Sequence, residues 1–287
     1  MARPAGAARM DLPVAVSRYG PAGWEPAGAD ALAAEEPLEI RVEGRSVAVV
    51  MRTPGADLAL AAGFLLTEGV ILGRDDLQAL AAVDDPARPR GNTVDCVLAS
   101  GVPAGRRHAA DRALYASSSC GVCGKETIGR IFQAAPPLAP TPFPDPARLL
   151  ALDAALRGAQ PTFARTGGLH AAALFALDRG EIVHHAEDIG RHNAVDKVIG
   201  AALLADAAPS GPLGLWVSGR AGFEIVQKAL MAGIPLVASV GAPSSLAASL
   251  AARAGQHLVG FLRGGRFNRY GEVGGPAVLC SAEREAK

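Results

Sequence analysis

Leu213-Gly214-Leu215-Trp216-Val217-Ser218, Ile234-Pro235-Leu236-Val237-Ala238-Ser239-Val240 and His257-Leu258-Val259-Gly260-Phe261-Leu262 are three short runs that are apolar almost throughout. Between them lie residues 222–232 and 244–254, each of helical length and each stopped by a glycine, Gly233 or Gly255. Strands that are continuously apolar, alternating with helices, predict a parallel sheet segment covered on both faces, and so an α/β fold. In such sheets a ligand binds past the strand C-terminal ends, where loops enter helix N-termini. Those ends are Ser218-Gly219-Arg220, Val240-Gly241-Ala242-Pro243-Ser244 and Arg263-Gly264-Gly265-Arg266. Each is small or glycine-rich and two carry arginine, which suits a phosphate-bearing ligand: bare backbone amides plus guanidinium forks.

Upstream, Leu38-Glu39-Ile40-Arg41-Val42 and Ser46-Val47-Ala48-Val49-Val50-Met51 flank Glu43-Gly44-Arg45, a hairpin pattern. Thr53-Pro54 opens a helix over residues 56–68 that Gly69 closes. Residues 93–99 read as a strand carrying Cys96, and residues 106–116 as a strand leading into a cysteine pair. The run 134–146 holds six prolines and reads as a linker or exposed loop. A helix over 147–157 follows, then a second hairpin, 169–177 with 181–186, and a helix over 193–206 capped by Asp188. Residues 1–34 are rich in Ala, Gly and Pro with no sustained period and read as a disordered extension. The expected organisation is that extension, an N-terminal β-rich part over 35–135, a Pro-rich loop over 136–146, an α/β part over 147–280 and a tail over 281–287.

The chain has 287 residues, 49% of them hydrophobic, enough for a sizeable core. With 28 basic and 28 acidic residues, nothing global points to nucleic acid or an anionic membrane, so an anionic ligand must be met by local charge. No secretory leader pattern and no apolar run of about 18 residues is present, which makes the cytoplasm the expected compartment. Four cysteines in a chain of this length do not make a disulfide scaffold.

Ser117-Ser118-Ser119-Cys120-Gly121-Val122-Cys123-Gly124-Lys125 is the clearest chemical feature. A helix starting after Cys123, together with Lys125, would favour thiolate. Structural zinc needs four ligands, and Cys96 and Cys280 could supply the rest only by long-range assembly. A redox dithiol and a persulfide carrier both need an accessible nucleophilic thiol, and the residues place these two ahead of zinc. The same stretch is not a phosphate-binding loop, because Ser119 stands where that loop needs glycine and no Ser or Thr follows Lys125 directly. In Thr166-Gly167-Gly168-Leu169-His170-Ala171-Ala172 the position a zinc deaminase gives to glutamate is Ala172. For His170 a turn histidine and a ligand contact are equally open. Glu187-Asp188-Ile189-Gly190-Arg191-His192-Asn193-Ala194-Val195-Asp196-Lys197 is dense in charge, with Asp188, His192 and Asp196 at helical steps of four. A solvated face explains such charges more often, but Gly190-Arg191-His192 beside a hairpin end tips the reading towards a pocket.

Taken together, these blocks resemble the FdhD family of formate dehydrogenase accessory sulfurtransferases. Ser218-Gly219-Arg220, Val226-Gln227-Lys228, Leu258-Val259-Gly260-Phe261 and Ala61-Ala62-Gly63-Phe64-Leu65-Leu66-Thr67-Glu68-Gly69 carry the same resemblance, in order, from about Glu35 to Tyr270. The resemblance implies a cytidine deaminase-like layered sheet with helices on both faces, without the deaminase zinc, in a homodimer. It implies that a cysteine desulfurase delivers sulfur as a persulfide, and that the protein passes it to a molybdenum cofactor, bis-molybdopterin guanine dinucleotide, for formate dehydrogenase. Cys120 would carry the persulfide and Cys123 would assist. The family's cofactor segment falls on Phe261, Leu262, Arg263, Gly264, Gly265 and Arg266, where the family often shows Pro-Gly in place of Gly264-Gly265. Ser218, Arg220, Gly168, His170, Asp188, Arg191 and His192 complete the expected cofactor-binding set, with no resident metal. A cofactor-binding chaperone without sulfur chemistry and a zinc-binding structural module are the rival readings.

Overall fold

The computed structural model describes residues 10–84, 91–106, 135, 137–205 and 211–271. The three apolar runs form strands β9 (Leu213–Val217), β10 (Leu236–Ser239) and β11 (His257–Arg263), and they are parallel, as their pattern predicts. Two antiparallel hairpins extend them into a six-stranded sheet. On one side are β7 (His170–Ala176) and β8 (Ile182–Asp188), and on the other β12 (Arg266–Tyr270), in the order β12-β11-β10-β9-β7-β8. The edge strand β12 escapes sequence reading because it follows β11 through a two-residue turn and is mostly polar.

Helices cover both faces of this sheet. The helices α4 (Arg191–Leu204), α5 (Phe223–Met231) and α6 (Ser245–Ala254) pack on one face, against inward side chains such as Leu215, Val217, Val237 and Leu258. Helix α2 (Pro146–Gly158) covers the other face with Leu149, Leu152 and Leu156 against Phe175, Trp216 and Val259. Alternate residues of β9 therefore serve two cores, which is why the run shows no polar alternation. A six-residue helix, α3 (Pro161–Thr166), follows α2 directly.

A second sheet, in the order β4-β3-β6-β5, is built from β3 (Glu36–Val42), β4 (Arg45–Arg52), β5 (Leu77–Ala82) and β6 (Thr93–Leu98). Helix α1 (Asp57–Thr67) bridges the halves, packing on β5 and β6 and most extensively on α4. The α1–α4 crossing is close enough that only hydrogen fits. A Cβ at Gly63 would lie 1.9 Å from the Asp196 carbonyl oxygen, and one at Gly200 would lie 1.8 Å from that of Ala59.

Two expectations from sequence differ from the structure. Residues 11–33 are not a disordered extension: β1 (Asp11–Gly20) pairs antiparallel with β2 (Gly23–Ala33) around a turn at Gly23, φ 99°. Tyr19 and Trp24 meet edge to face at the tip, and Arg165 of α3 pairs with Asp11 at 2.8 Å. Cross-strand pairs supply what a weak apolar period does not announce. Residues 137–145 of the Pro-rich run form a strap along the sheet edge rather than a free linker. The His257 ring donates from Nε2 to the Thr141 carbonyl at 2.8 Å, Phe143 stacks edge-on to His257, and the Arg269 guanidinium lies 4.7 Å from the Phe143 ring centre. The stretch around Cys120 and Cys123, with the strand expected before it and the helix expected after it, lies outside the described residues.

Gly63→Ala and Gly200→Ala should each destabilise the protein by roughly 1–3 kcal/mol, because the added methyl meets backbone rather than a movable side chain. Urea midpoints measure this, and a wild-type midpoint in either variant would contradict the crossing described.

Candidate functional site at the strand ends

Because β9, β10 and β11 run parallel and β7 and β8 antiparallel to their neighbours, the ends of β8–β11 and the start of β7 share one edge. Backbone hydrogen bonds continue past the strands and fix the loops there. Gly241 N donates to Gly219 O at 2.9 Å, Phe261 N to Gly241 O at 3.0 Å, and Ser244 N to Ala221 O at 3.1 Å. The Ser218 hydroxyl accepts from Ala171 N at 2.9 Å. To reach Gly241, Phe261 adopts a left-handed conformation, φ 56°, at a register shift between Gly260 and Arg263. Such strain in a non-glycine residue costs on the order of 1–3 kcal/mol and concentrates at functional segments.

Gly264 and Gly265 both have positive φ, 59° and 72°, as a two-residue hairpin turn of the primed type requires. The turn sets Arg263 opposite Arg266, and both are exposed, as is Arg220 on the neighbouring loop. None of these three arginines pairs with a carboxylate among the described residues. Like charges held opposite each other are unfavourable until an anion lies between them.

A cavity of about 470 Å³ opens below this edge on the α2 and α3 side. Gly168, His170 and Ser218 line it, and so do Arg157, Gln160, Phe163 and Trp216, which the sequence reading missed. Arg157 ends α2 and reads in sequence as a cation favourable to a helix C-terminus. Its Nε donates to the Asp153 carboxylate at 2.8 Å and its Nη2 reaches the Leu262 carbonyl at 3.5 Å, so it ties the cavity wall to the Phe261–Arg266 segment. Trp216 Nε1 donates to the other Asp153 oxygen at 3.4 Å. The Leu262 side chain itself is core, and only its carbonyl faces Arg157. Glu187 accepts from the Thr162 and Phe163 amides at 3.0 and 2.7 Å and holds the start of α3. Burial lowers the pKa of His170, and nearby Arg191 adds to this against an opposing effect of Asp188, so the ring is neutral.

Asp188 and His192 point elsewhere. Asp188 is fully buried, accepting from Gly190 N and Asn193 Nδ2 on one oxygen and from Thr53 N and Lys197 Nζ on the other. Helix α4 begins at Arg191, after Gly190, so Asp188 is not its cap; a ligand contact through this carboxylate would require one of four donors to leave. The His192 ring donates to Glu224 of α5 at 2.6 Å. Asp196 accepts from Lys228 at 2.9 Å and from the Thr67 hydroxyl at 2.9 Å, with Glu68 3.2 Å from the same ammonium. Burial raises Asp196 to about 6 while Lys228 opposes it; burial acts to lower Lys228, but Asp196 and Glu68 outweigh it and hold Lys228 above its ordinary value, so the pair is ionised at neutral pH. Cys96 is enclosed in the second sheet, its thiol pushed up to about 12 by burial, with Asp95 and Glu43 adding to the effect. Among the described residues no group of three or more His, Cys, Asp and Glu could hold a metal ion. No described helix is long and apolar enough to cross a membrane.

A mixed sheet whose strand ends present arginines without a carboxylate partner among the described residues, beside a cavity, defines an α/β protein with a positively charged strand-end edge. The sequence model of the FdhD/NarQ family matches residues 33–274, and the chain belongs to that family. It is 50% identical over 246 residues to the sulfur carrier protein FdhD of Streptomyces coelicolor, covering 84% of this chain and 87% of that protein. It is 51% identical over 252 residues to the sulfur carrier protein FdhD of Mycobacterium tuberculosis, covering 84% and 90%. A crystal structure of a Desulfotalea psychrophila protein assigned as a formate dehydrogenase accessory protein superposes with a TM-score of 0.73 at 25% identity, over 92% of this chain and 98% of that one.

Burial lowers the pKa of His192 to about 4, Arg191 and Lys228 acting with it and Glu224 and Glu68 against it. The unfolded chain therefore binds this proton from about pH 6.5 downward while the folded protein resists until about 4, so stability falls as pH drops across that window. His192→Gln keeps a donor for Glu224 and removes the titration. Urea midpoints at pH 7 and pH 4.5 should differ less in this variant than in wild type, and an unchanged difference would refute the assignment.

Proposed function

We propose that this protein is a sulfur carrier for formate dehydrogenase maturation, taking sulfur from a cysteine desulfurase and passing it to bis-molybdopterin guanine dinucleotide bound at the strand ends. The observation that carries the reading is the set Arg220, Arg263 and Arg266, unpaired among the described residues, at the edge above the cavity. The guanidinium forks match pyrophosphate oxygens, and the glycine-rich loops let backbone amides approach them. The names carried by the relatives, sulfur carrier protein and formate dehydrogenase accessory protein, support the rest. The same reading takes the layered sheet as cytidine deaminase-like, works in the cytoplasm and pairs two copies of the chain.

Sulfur chemistry falls to Cys120 and Cys123. The Cys120 thiolate attacks the outer sulfur of the desulfurase persulfide; a new S–S bond forms, the desulfurase thiolate leaves, and Cys120 holds a persulfide. Attack of the Cys123 thiolate on the Cys120 sulfur then breaks that bond and expels hydrosulfide, which the molybdenum of the bound substrate accepts. The resulting Cys120–Cys123 disulfide returns to two thiols by exchange with a cellular dithiol. The cysteines are thus unequal, since loading needs Cys120 alone.

Incubation with a cysteine desulfurase and labelled cysteine, followed by mass spectrometry, should place one labelled sulfur on Cys120. Cys120→Ala should abolish loading and leave cells without formate dehydrogenase activity, while Cys123→Ala should still load. Active formate dehydrogenase in cells carrying Cys120→Ala would overturn the carrier and leave a cofactor-binding chaperone.

A further inference from the structure

The β1–β2 hairpin is apolar where no described element covers it. Leu12, Val14 and Val16 occupy alternate positions of β1, too few to announce a strand in the sequence, and Leu32 stands opposite Leu12 on β2. These four side chains share one face of the ribbon, the pattern of a strand with one face for burial. Leu12 and Leu32 are nevertheless 52% and 54% exposed, and Tyr19 and Trp24 at the tip are 73% and 74% exposed. Of the described elements only α3, at the base, packs on the ribbon to more than a marginal extent, and the Asp11–Arg165 pair fixes it there. A two-stranded ribbon left alone in water is barely stable and needs a further layer.

The ribbon's edges are blunted against a third strand. Ala34 N donates to Met10 O at 2.9 Å, so the pairs Leu12–Leu32 and Val14–Asp30 hydrogen-bond within the ribbon and the backbone groups of Pro13 and Ala31 face outward. Pro13 has no amide to offer, and the Ala31 amide is taken by Asp30 Oδ1 at 2.8 Å. A partner therefore meets the faces, and a second copy of this chain fits them in charge and in area. Arg18 stands opposite Glu25 and Asp11 pairs with Arg165, so the arm carries little unmet charge to repel its own kind or to select a charged partner. At the stated exposures Leu12, Leu32, Tyr19 and Trp24 present on the order of 600 Å² per copy, and their mutual burial removes about 1,200 Å², the lower limit of a stable specific interface. The same patch on both copies closes as a two-fold dimer.

We infer that the β1–β2 hairpin is a pairing arm, whose Leu12–Leu32 face and Tyr19–Trp24 tip pack against a second copy of this chain. The inference rests on the proposed reading that two copies pair, and it names the surface through which they do so.

Sedimentation velocity of the full chain at about 50 μM should show a dimer. The chain has two tryptophans and Trp216 is fully buried, so a blue shift of emission with rising concentration reports Trp24 entering the interface. Leu32→Lys and Tyr19→Ser should each raise the dimer Kd at least about tenfold and remove the blue shift at concentrations where wild type shows it. Both side chains are more than half exposed, so the variants should keep the fold, which circular dichroism and the core Trp216 emission check; if Leu32→Lys does not fold, Tyr19→Ser at the tip decides alone. A dimer that survives both substitutions with Trp24 emission unshifted would overturn the arm and leave the pairing of copies standing through another surface. A wild-type chain that stays monomeric at 50 μM would overturn both, and a Trp24 shift seen only when formate dehydrogenase is added would replace the second copy with that partner. Sulfur loading on Cys120 is measured separately, so neither result bears on the carrier reading.

Discussion

The Asp188 carboxylate is the joint on which the two halves of the molecule depend. It stands at the end of β8 and draws together Thr53 from the end of β4, Gly190 and Asn193 at the start of α4, and the Lys197 ammonium one turn further on. Lys197 in turn donates to the Thr53 and Glu187 carbonyls, and Asn193 to the Met51 carbonyl. Both charges are buried, so each is tolerable only because the other is present and every remaining position is hydrogen-bonded. Removing one partner of such a pair costs on the order of 3–5 kcal/mol, a large share of the 5–15 kcal/mol that holds a typical domain together.

That joint changes the meaning of the charge-dense segment from Glu187 to Lys197. Its acidic residues and its lysine are consumed inside the protein. Glu187 holds α3, Asp188 pairs with Lys197, and Asp196 pairs with Lys228. Arg191, half-buried at the helix start, remains near His170 at the site edge, while His192 turns to Glu224. The inward charges cancel locally, whereas the exposed guanidinium groups of Arg220, Arg263 and Arg266 at the strand ends pair with no carboxylate among the described residues. A chain of zero formal charge thereby presents a positive edge, because neutrality of the whole places no limit on how charge is partitioned between interior and rim.

The parallel core was legible because its constraint is strong: a strand covered on both faces cannot carry polar side chains, and Leu213–Val217 shows it. The position of the arginine-bearing loops followed, since topology places them at the ends of those strands. The β1–β2 hairpin and β12 were not legible, because cross-strand partners and turn geometry stabilise them rather than a repeating apolar pattern. Arg157 and Gln160 were invisible for a related reason. An arginine at a helix end and a glutamine before a proline have ordinary local explanations, and what makes them cavity residues is Asp153, Leu262 and Leu156 fixing their orientations in three dimensions.

The cavity itself follows from the handedness of the connections. Strands β9, β10 and β11 are added in one direction, so right-handed crossovers place α5 and α6 on the same face, where their N-terminal loops wrap the strand ends. The opposite face is left to α2, which runs along the strands and stops at Gly158, and to α3, a separate short helix whose first amides are held by Glu187 from β8. A continuous helix would have filled the space over Trp216 and Val240. The break between α2 and α3 instead leaves a recess beside the strand ends, with Arg157 before the break and Gln160 within it. Charge on the edge and the shape of the recess thus have separate structural origins, one in the strand-end loops and the other in the helix break, so a substitution in one need not disturb the other.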